Sequence, residues 1–337
     1  MRIAEVTRFG GPEVLVIRDV PEPVAGPGEV VVDVAVADVL WVETRIRQGH
    51  GGDHFRVTPP YVPGNGVAGW VDAVGDGVDD EWIGRRVVAH AHERGGYAER
   101  VVLRERELTP VPHGLSLRDA AALLADGPTA LALFEGMKIV GGDTVLIVGA
   151  SGGLGIVCVQ LARARGARVV AVARDERKLA RIREFGAAAV IDSEAPNWVE
   201  QARAALGGEG ADVILDNVGG RVGEAAFELI APGGRFSAHG TPSGRFAAID
   251  DAQAERLGVT VRGIRDVQLP ADELKRLTGK ALAEAAAGRI NPVVGQTFPL
   301  ERAADAHAAI ERREVFGKTL LLAGAEPQAA GRGSPIQ

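Results

Sequence analysis

The run Asp143-Thr144-Val145-Leu146-Ile147-Val148-Gly149-Ala150-Ser151-Gly152-Gly153-Leu154-Gly155 is the segment whose residue types and spacing point most directly to chemistry. An apolar strand enters a glycine-rich turn and continues into an amphipathic helical pattern through Ala164, so unpaired amides and the positive helix end face whatever sits on the turn. That arrangement suits a pyrophosphate. Ser151, Gly152, Gly153 and Leu154 are the candidate binding positions, with the two glycines admitting phosphate close to the backbone and Gly155 letting helix and strand approach. A second apolar strand, Ala167 to Ala173, ends where an NAD-binding chain carries Asp or Glu for the ribose 2′-hydroxyl. Here Ala173 is followed by Arg174, with Lys178 one turn later. A small residue beside cations leaves room and charge for a 2′-phosphate, which favours NADPH over NADH. The bland alternatives are a purely structural turn and solvated surface charges. Cys158, inside the helix after the turn, reads as a small buried thiol.

The elements around this turn come from a chain of 337 residues, enough for two domains of ~150 residues each. Apolar residues make up 46% and charged residues 25%, which excludes a disordered or fibrous chain. A net charge of −7 supplies no basic field for nucleic acid or an anionic membrane. One cysteine allows no internal disulfide. No window has the length and apolarity of a membrane span, and Met1 to Val6 lacks signal-peptide character, so the expected location is the cytoplasm. Up to about Glu107 short β-branched runs alternate with Gly, Pro and Asp, the texture of antiparallel strands and turns. From about Ser116, Ala- and Leu-rich helical stretches alternate with strands at Asp143 to Val148, Ala167 to Ala173, Ala188 to Ile191, Asp212 to Leu215 and Gly234 to Ala238. Such alternation implies an α/β fold with a doubly wound parallel sheet. A helix is expected from about Asp272 to Ala287.

Taken alone, Gly149 to Gly155 resembles the cofactor turn of short-chain dehydrogenases. That family needs a Tyr and a Lys four residues apart downstream of the turn, and both tyrosines here, Tyr61 and Tyr97, precede it. A wider set of motifs resembles the medium-chain dehydrogenase/reductase superfamily in its zinc-free quinone oxidoreductase branch. They run from Phe9-Gly10-Gly11-Pro12-Glu13-Val14-Leu15 and Gly26-Pro27-Gly28-Glu29-Val30, through Pro63-Gly64-Asn65-Gly66-Val67-Ala68-Gly69 and Gly95-Gly96-Tyr97-Ala98-Glu99. They continue with Asp216-Asn217-Val218-Gly219 and Gly233-Gly234-Arg235-Phe236, and end at Gly317-Lys318-Thr319-Leu320. The resemblance implies a GroES-like β-rich substrate domain over residues 1–118 and 266–324, and a Rossmann cofactor domain over 119–265. Residues 325–337 read as a disordered tail. It also implies an active site in the cleft between the two domains. Nicotinamide is expected near Thr129 and the His239-Gly240 turn, the adenine end near Arg174 and Asn217, and Phe316, Gly317 and Lys318 closing over the cofactor. The run Val259 to Ile264 resembles the strand that joins sheets across the family's dimer, so a homodimer is expected.

Zinc-dependent relatives hold metal at positions matching Leu40, Asn65, Gly66 and Ala125, and none of these side chains suits a catalytic zinc. His50, His54, His90 and His92 are loose candidates, better read as surface or pocket-lining residues. No metal is expected. Where zinc-free members usually carry Asn and Asp, this chain has Leu40 and Glu43, with Trp41 between them. The pocket candidates are therefore Leu40, Trp41, Glu43, Tyr61, Asn65 and Asp126, giving a more apolar site than usual. Trp41 reads equally as domain packing. Asp126 reads either as a group that orients substrate or donates a proton, or as a helix-end carboxylate. Without a Lewis acid, hydride addition is most plausible where conjugation already activates the acceptor. The expected function is NADPH-dependent reduction of a quinone, enone or other conjugated carbonyl. Alternatives are an enoyl reductase acting on polyketide or acyl-thioester intermediates, and a non-catalytic NADPH-binding protein.

Overall fold

Alternating β-branched residues carry the first unit. Two strands, β1 (Arg2–Val6) and β2 (Leu15–Asp19), pair antiparallel, and the longest strand, β3 (Glu29–Val39), follows them. After the short helix α1 (Trp41–Arg47), β4 (Gly66–Val74) lies antiparallel to β3, and β5 (Arg86–His90) lies antiparallel to β4. On the other side β6 (Arg100–Arg104) pairs with Glu29 to Asp33. The computed structural model describes residues 1–51, 55–91 and 95–324. His54, His92 and the tail 325–337 lie outside the described residues.

The second unit begins with β7 (Thr109–Pro110), α2 (Leu117–Leu124) and α3 (Asp126–Gly136). Strands and helices then alternate: β8 (Thr144–Val148), α4 (Gly153–Ala164), β9 (Arg168–Ala173), α5 (Glu176–Glu184), β10 (Ala189–Asp192), α6 (Trp198–Ala205) and β11 (Ala211–Asp216). The alternation continues through α7 (Gly220–Phe227), β12 (Ile230–Ala238), α8 (Asp251–Leu257) and β13 (Thr260–Gly263). The six strands form one parallel sheet in the order β10-β9-β8-β11-β12-β13. The chain winds outward from β8 to β10, then returns to β11 and winds the other way. The ends of β8 and β11 thus form the switch point at which open α/β sheets bind ligands. Leu146, Val148, Val170, Val172 and Ile214 fill the sheet's core, and Phe227 meets Phe236 edge-to-face with centroids 5.2 Å apart.

The remaining elements are α9 (Ala271–Ala286), β14 (Val294–Pro299), α10 (Ala303–Glu311) and β15 (Lys318–Leu322), the last lying beside β3. The GroES-like and Rossmann organisation is present, but the boundaries differ from the expected 118/119 and 265/266. One unit comprises Met1–Leu108, Thr297–Ala308 and the chain from Leu320; the other comprises Thr109–Gln296 and Ala309–Thr319. The cause is α9. It buries Leu277, Ala281 and Leu282, and a Cβ on Gly127 of α3 would come within 2.6 Å of the Ala281 Cβ, so the two helices pack closely within the second unit. Cys158 is fully buried in α4 and burial pushes its thiol pKa up, which makes it the inert thiol expected. Among the described residues no helix is long and apolar enough to cross a membrane.

A Cβ at Gly155 would sit 2.4 Å from the Gly149 carbonyl oxygen. Gly155→Ala is expected to force α4 off the turn and to destabilise the fold by about 1–3 kcal/mol, the usual cost of overpacking. Denaturant unfolding followed by circular dichroism checks this; an unshifted midpoint would show that the close approach is not needed.

Candidate functional site

The β8–α4 turn is shaped by backbone alone. Gly149 takes φ +73°, and the amides of Gly149 and Ala150 both donate to the Val172 carbonyl of β9, at 2.9 and 3.0 Å. The turn is thereby tied to the neighbouring strand. Gly152 is the N-cap of α4 and no side chain caps the helix, so its first amides have no side-chain partner. A Cβ at Gly152 would meet nothing closer than 3.8 Å, so the space above it is open. Ser151 engages through its carbonyl, which accepts from Gly317 N at 2.8 Å, and Leu154 stands half-buried in the first helical turn. These features fit a dinucleotide pyrophosphate.

At the end of β9, Ala173 is buried and the Arg174 side chain is 40% exposed, 3.6 Å from Glu194. Lys178 does not stand free in solvent: its Nζ donates to the Arg313 carbonyl at 2.7 Å, and burial lowers its pKa. Arg313 belongs to the same group. Its pKa is lowered by burial and by the nearby Arg174 charge. The sequence reading missed Arg313, which reaches this place from the turn after α10. Its one local signal is φ +59° at a non-glycine residue, visible only in the structure. Arg174, Lys178 and Arg313 therefore gather at the end of β9.

Asn217 and His239 come together at the switch point. The Asn217 Nδ2 donates to the Val148 carbonyl at 2.8 Å, and His239 Nε2 lies 2.8 Å from Asn217 Oδ1. His239 is only 7% exposed and Ser237 lies 3.0 Å from its Nδ1, so the imidazole faces the protein rather than a ligand. Gly240 follows, packed against the Asn217 backbone. Thr129 Oγ1 donates to the Ala125 carbonyl at 2.7 Å within its own helix.

Three of the side chains named from the sequence are held by protein neighbours. Phe316 stacks on Phe185 at 6.4 Å and carries the Arg181 guanidinium 3.9 Å from its ring centroid, so its ring packs on α5. Of the two readings of Asp126, its place in the first turn of α3 matches the helix-end carboxylate. Its Oδ2 lies 3.3 Å from Lys318 Nζ, both side chains are largely buried, and both press on Gly153 at the start of α4. Lys318, expected to reach the cofactor directly, is 6% exposed and is held in this pair.

In the first unit Glu43 is not a pocket acid. It is 5% exposed, and its carboxylate accepts hydrogen bonds from several parts of the chain. Leu40 N and Tyr97 Oη donate to Oε2, both at 2.8 Å, while Gly64 N at 3.1 Å and Asn65 N at 2.8 Å donate to Oε1. One carboxylate thus clamps the segment before α1 to the Gly64-Asn65 turn. Since the phenol hydrogen is committed to Glu43, His307 Nε2 donates to Tyr97 Oη at 3.1 Å, and the pair extends the brace. Tyr61 has a buried hydroxyl, and burial together with Glu43 pushes its pKa to about 12, making it a poorer acid than a free phenol. Leu40, Trp41 and Asn65 are half-buried, and the Arg45 guanidinium lies 5.8 Å from the Trp41 ring centroid. Among the described residues no three His, Cys, Asp or Glu side chains converge as a metal site.

Two family models match the chain: an alcohol dehydrogenase GroES-like domain over residues 26–113 and a zinc-binding dehydrogenase over residues 153–280. The chain is 33% identical to a quinone oxidoreductase of Rattus norvegicus, over 96% of this chain and 98% of that protein. It is 32% identical to a 2-haloacrylate reductase of Burkholderia sp, over 97% and 99%. Among solved structures, the Escherichia coli quinone oxidoreductase complexed with NADPH superposes with a TM-score of 0.86 at 25% identity, covering 96% of this chain and 100% of that one.

Burial lowers the pKa of His239 to about 4 and of His307 to about 3, against an ordinary value of 6.5. The unfolded chain therefore binds more protons than the folded one below pH 6.5, so this contribution to stability is complete above that pH and is lost as the pH falls toward 4 and then 3. Replacing His307 by Asn is expected to flatten the acid side of the stability profile by about one proton's worth of slope. Urea midpoints measured from pH 7 to pH 4.5 check this; parallel profiles would mean that His307 is not buried neutral.

Proposed function

The chain belongs to the medium-chain dehydrogenase/reductase superfamily, in its quinone oxidoreductase branch, and from that premise we propose an NADPH-dependent reductase of conjugated carbonyl compounds, quinones or enones, that works without zinc. The observation that carries the reading is the uncapped glycine turn together with the cations at the end of β9. When bound, the nicotinamide supplies the hydride. The amides of Gly153 and Leu154 hold the pyrophosphate at the helix end, and Arg174 with Arg313 faces the 2′-phosphate.

The acceptor is held by the first unit. Leu40 and Trp41 offer an apolar wall to a ring and exclude water, and the Asn65 side-chain amide holds the carbonyl oxygen by a hydrogen bond. Glu43 keeps those segments in register without touching the acceptor. Leu40, Asn65, Gly66 and Ala125 occupy the positions where relatives bind zinc, and this donor set does not fit the metal, so no Lewis acid polarises the carbonyl. Neither Tyr61, with its raised pKa, nor the paired Asp126 suits proton donation, so the proton comes from solvent. Conjugation must then make the acceptor reactive. Both named relatives support this, since quinones and haloacrylates each join a carbon–carbon double bond to a carbonyl. The free edge of β13, with Val261 38% exposed, supports a homodimer joined through that strand.

Arg174→Ala is expected to weaken NADPH by ~1.5 kcal/mol, roughly tenfold in Kd, and to leave NADH nearly unchanged. Fluorescence titration of both nucleotides checks this, and equal losses would remove Arg174 from 2′-phosphate recognition. Against a panel of acceptors, quinones and enones should turn over with NADPH while simple ketones do not, with activity retained after chelator dialysis. Faster oxidation of simple alcohols than reduction of any quinone or enone would overturn the assignment.

A further inference from the structure

Three side chains at the carboxyl edge of the parallel sheet form a hydrogen-bond chain that dinucleotide binding does not by itself require. Val148, Asn217, Ser237 and His239 come from the ends of β8, β11 and β12. The chain has one consistent proton assignment. Asn217 Nδ2 must donate to the Val148 carbonyl, which fixes the amide oxygen on the other side, 2.8 Å from His239 Nε2. That oxygen only accepts, so Nε2 carries the imidazole hydrogen. A neutral ring then leaves Nδ1 as acceptor for the Ser237 hydroxyl at 3.0 Å.

We infer that His239 is a positioning residue: through its Nε2–H it fixes the hand of the Asn217 amide, so that Asn217 presents an N–H rather than an oxygen to the dinucleotide. With one Nδ2 hydrogen on Val148, the other remains for a ligand acceptor, a ribose hydroxyl or a phosphate oxygen. Asn217 is half-buried and borders the phosphate turn, since a Cβ at Gly149 would stand 3.3 Å from the Asn217 Cβ. If the amide turned over, its oxygen would face those oxygen atoms and its NH₂ would face a histidine N–H. Both contacts would be lost at once. His239 itself keeps away from the ligand, acting only through its neighbour. The inference rests on the dinucleotide reading above.

The first test needs no variant in the measured sample. Long-range ¹H–¹⁵N correlation on the full-length, ligand-free protein, with the His239 signal identified by its absence in His239→Gln, should show the Nε2–H tautomer at pH 7. An Nδ1–H tautomer or an imidazolium would overturn the inference. The second test is a thermodynamic cycle of His239→Phe, Asn217→Ala and the double variant, read as the Kd for NADPH and for NADH. His239→Phe should weaken both nucleotides alike, by about threefold to tenfold for one lost hydrogen bond, and the double variant should bind no worse than Asn217→Ala alone. Unchanged binding in His239→Phe, or losses that multiply in the double variant, would contradict an action through Asn217. Failure of the wild type to bind either nucleotide would instead sink the dinucleotide reading, and this inference with it.

Discussion

Two backbone amides on one carbonyl set the geometry from which the second unit's chemistry follows. Gly149 and Ala150 both close onto Val172, which bends the chain sharply off β8 and aims α4 back at the turn. The bend demands a positive φ at Gly149, and the close return of the helix leaves no volume for a side chain at Gly155. What is gained is a set of amides at a positive helix end with no protein side chain to satisfy them. The sheet order then brings Asn217 and His239 to the same edge, because β8 and β11 are neighbours at the point where winding reverses.

One buried carboxylate in each unit is held by protein partners. Glu43 receives donors from several separate stretches of chain, and Asp126 is matched by Lys318. A carboxylate left without partners in such surroundings would cost several kcal/mol. These buried groups are therefore unavailable as acids and bases. The same interactions that hold the segments in place occupy the obvious proton donors, and on that ground the proposed acceptor is an already activated one rather than a simple ketone.

The parts legible in the sequence are those written in local pattern. Strand, glycine turn and helix occur within Asp143 to Ala164, and the alternation that follows predicted a parallel sheet that the structure contains. Ala173 and Arg174 at the end of β9 were legible for the same reason. The direction in which a side chain turns was not. Glu43 sits among pocket residues in sequence, but Gly64, Tyr97 and His307, which decide its orientation, lie far along the chain. Arg313 joins Arg174 and Lys178 only through the path of the chain after α10. The family resemblance alone suggested Phe316 as a cofactor neighbour, and resemblance does not show that Phe185 and Arg181 of α5 meet its ring. The unit boundary moved because periodicity marks α9 as a helix without saying which surface it covers, and Gly127 supplies the place where it docks.

The central claim is that a dinucleotide on the β8–α4 turn delivers hydride to a conjugated acceptor whose carbonyl receives no help from a metal. It is tested most directly by supplying NADPH dideuterated at C4 of the nicotinamide with an α,β-unsaturated ketone, and locating the label in the product by NMR. The account predicts deuterium on the carbon β to the carbonyl and a solvent hydrogen on the α carbon. Deuterium on the carbonyl carbon, giving an allylic alcohol, would contradict it.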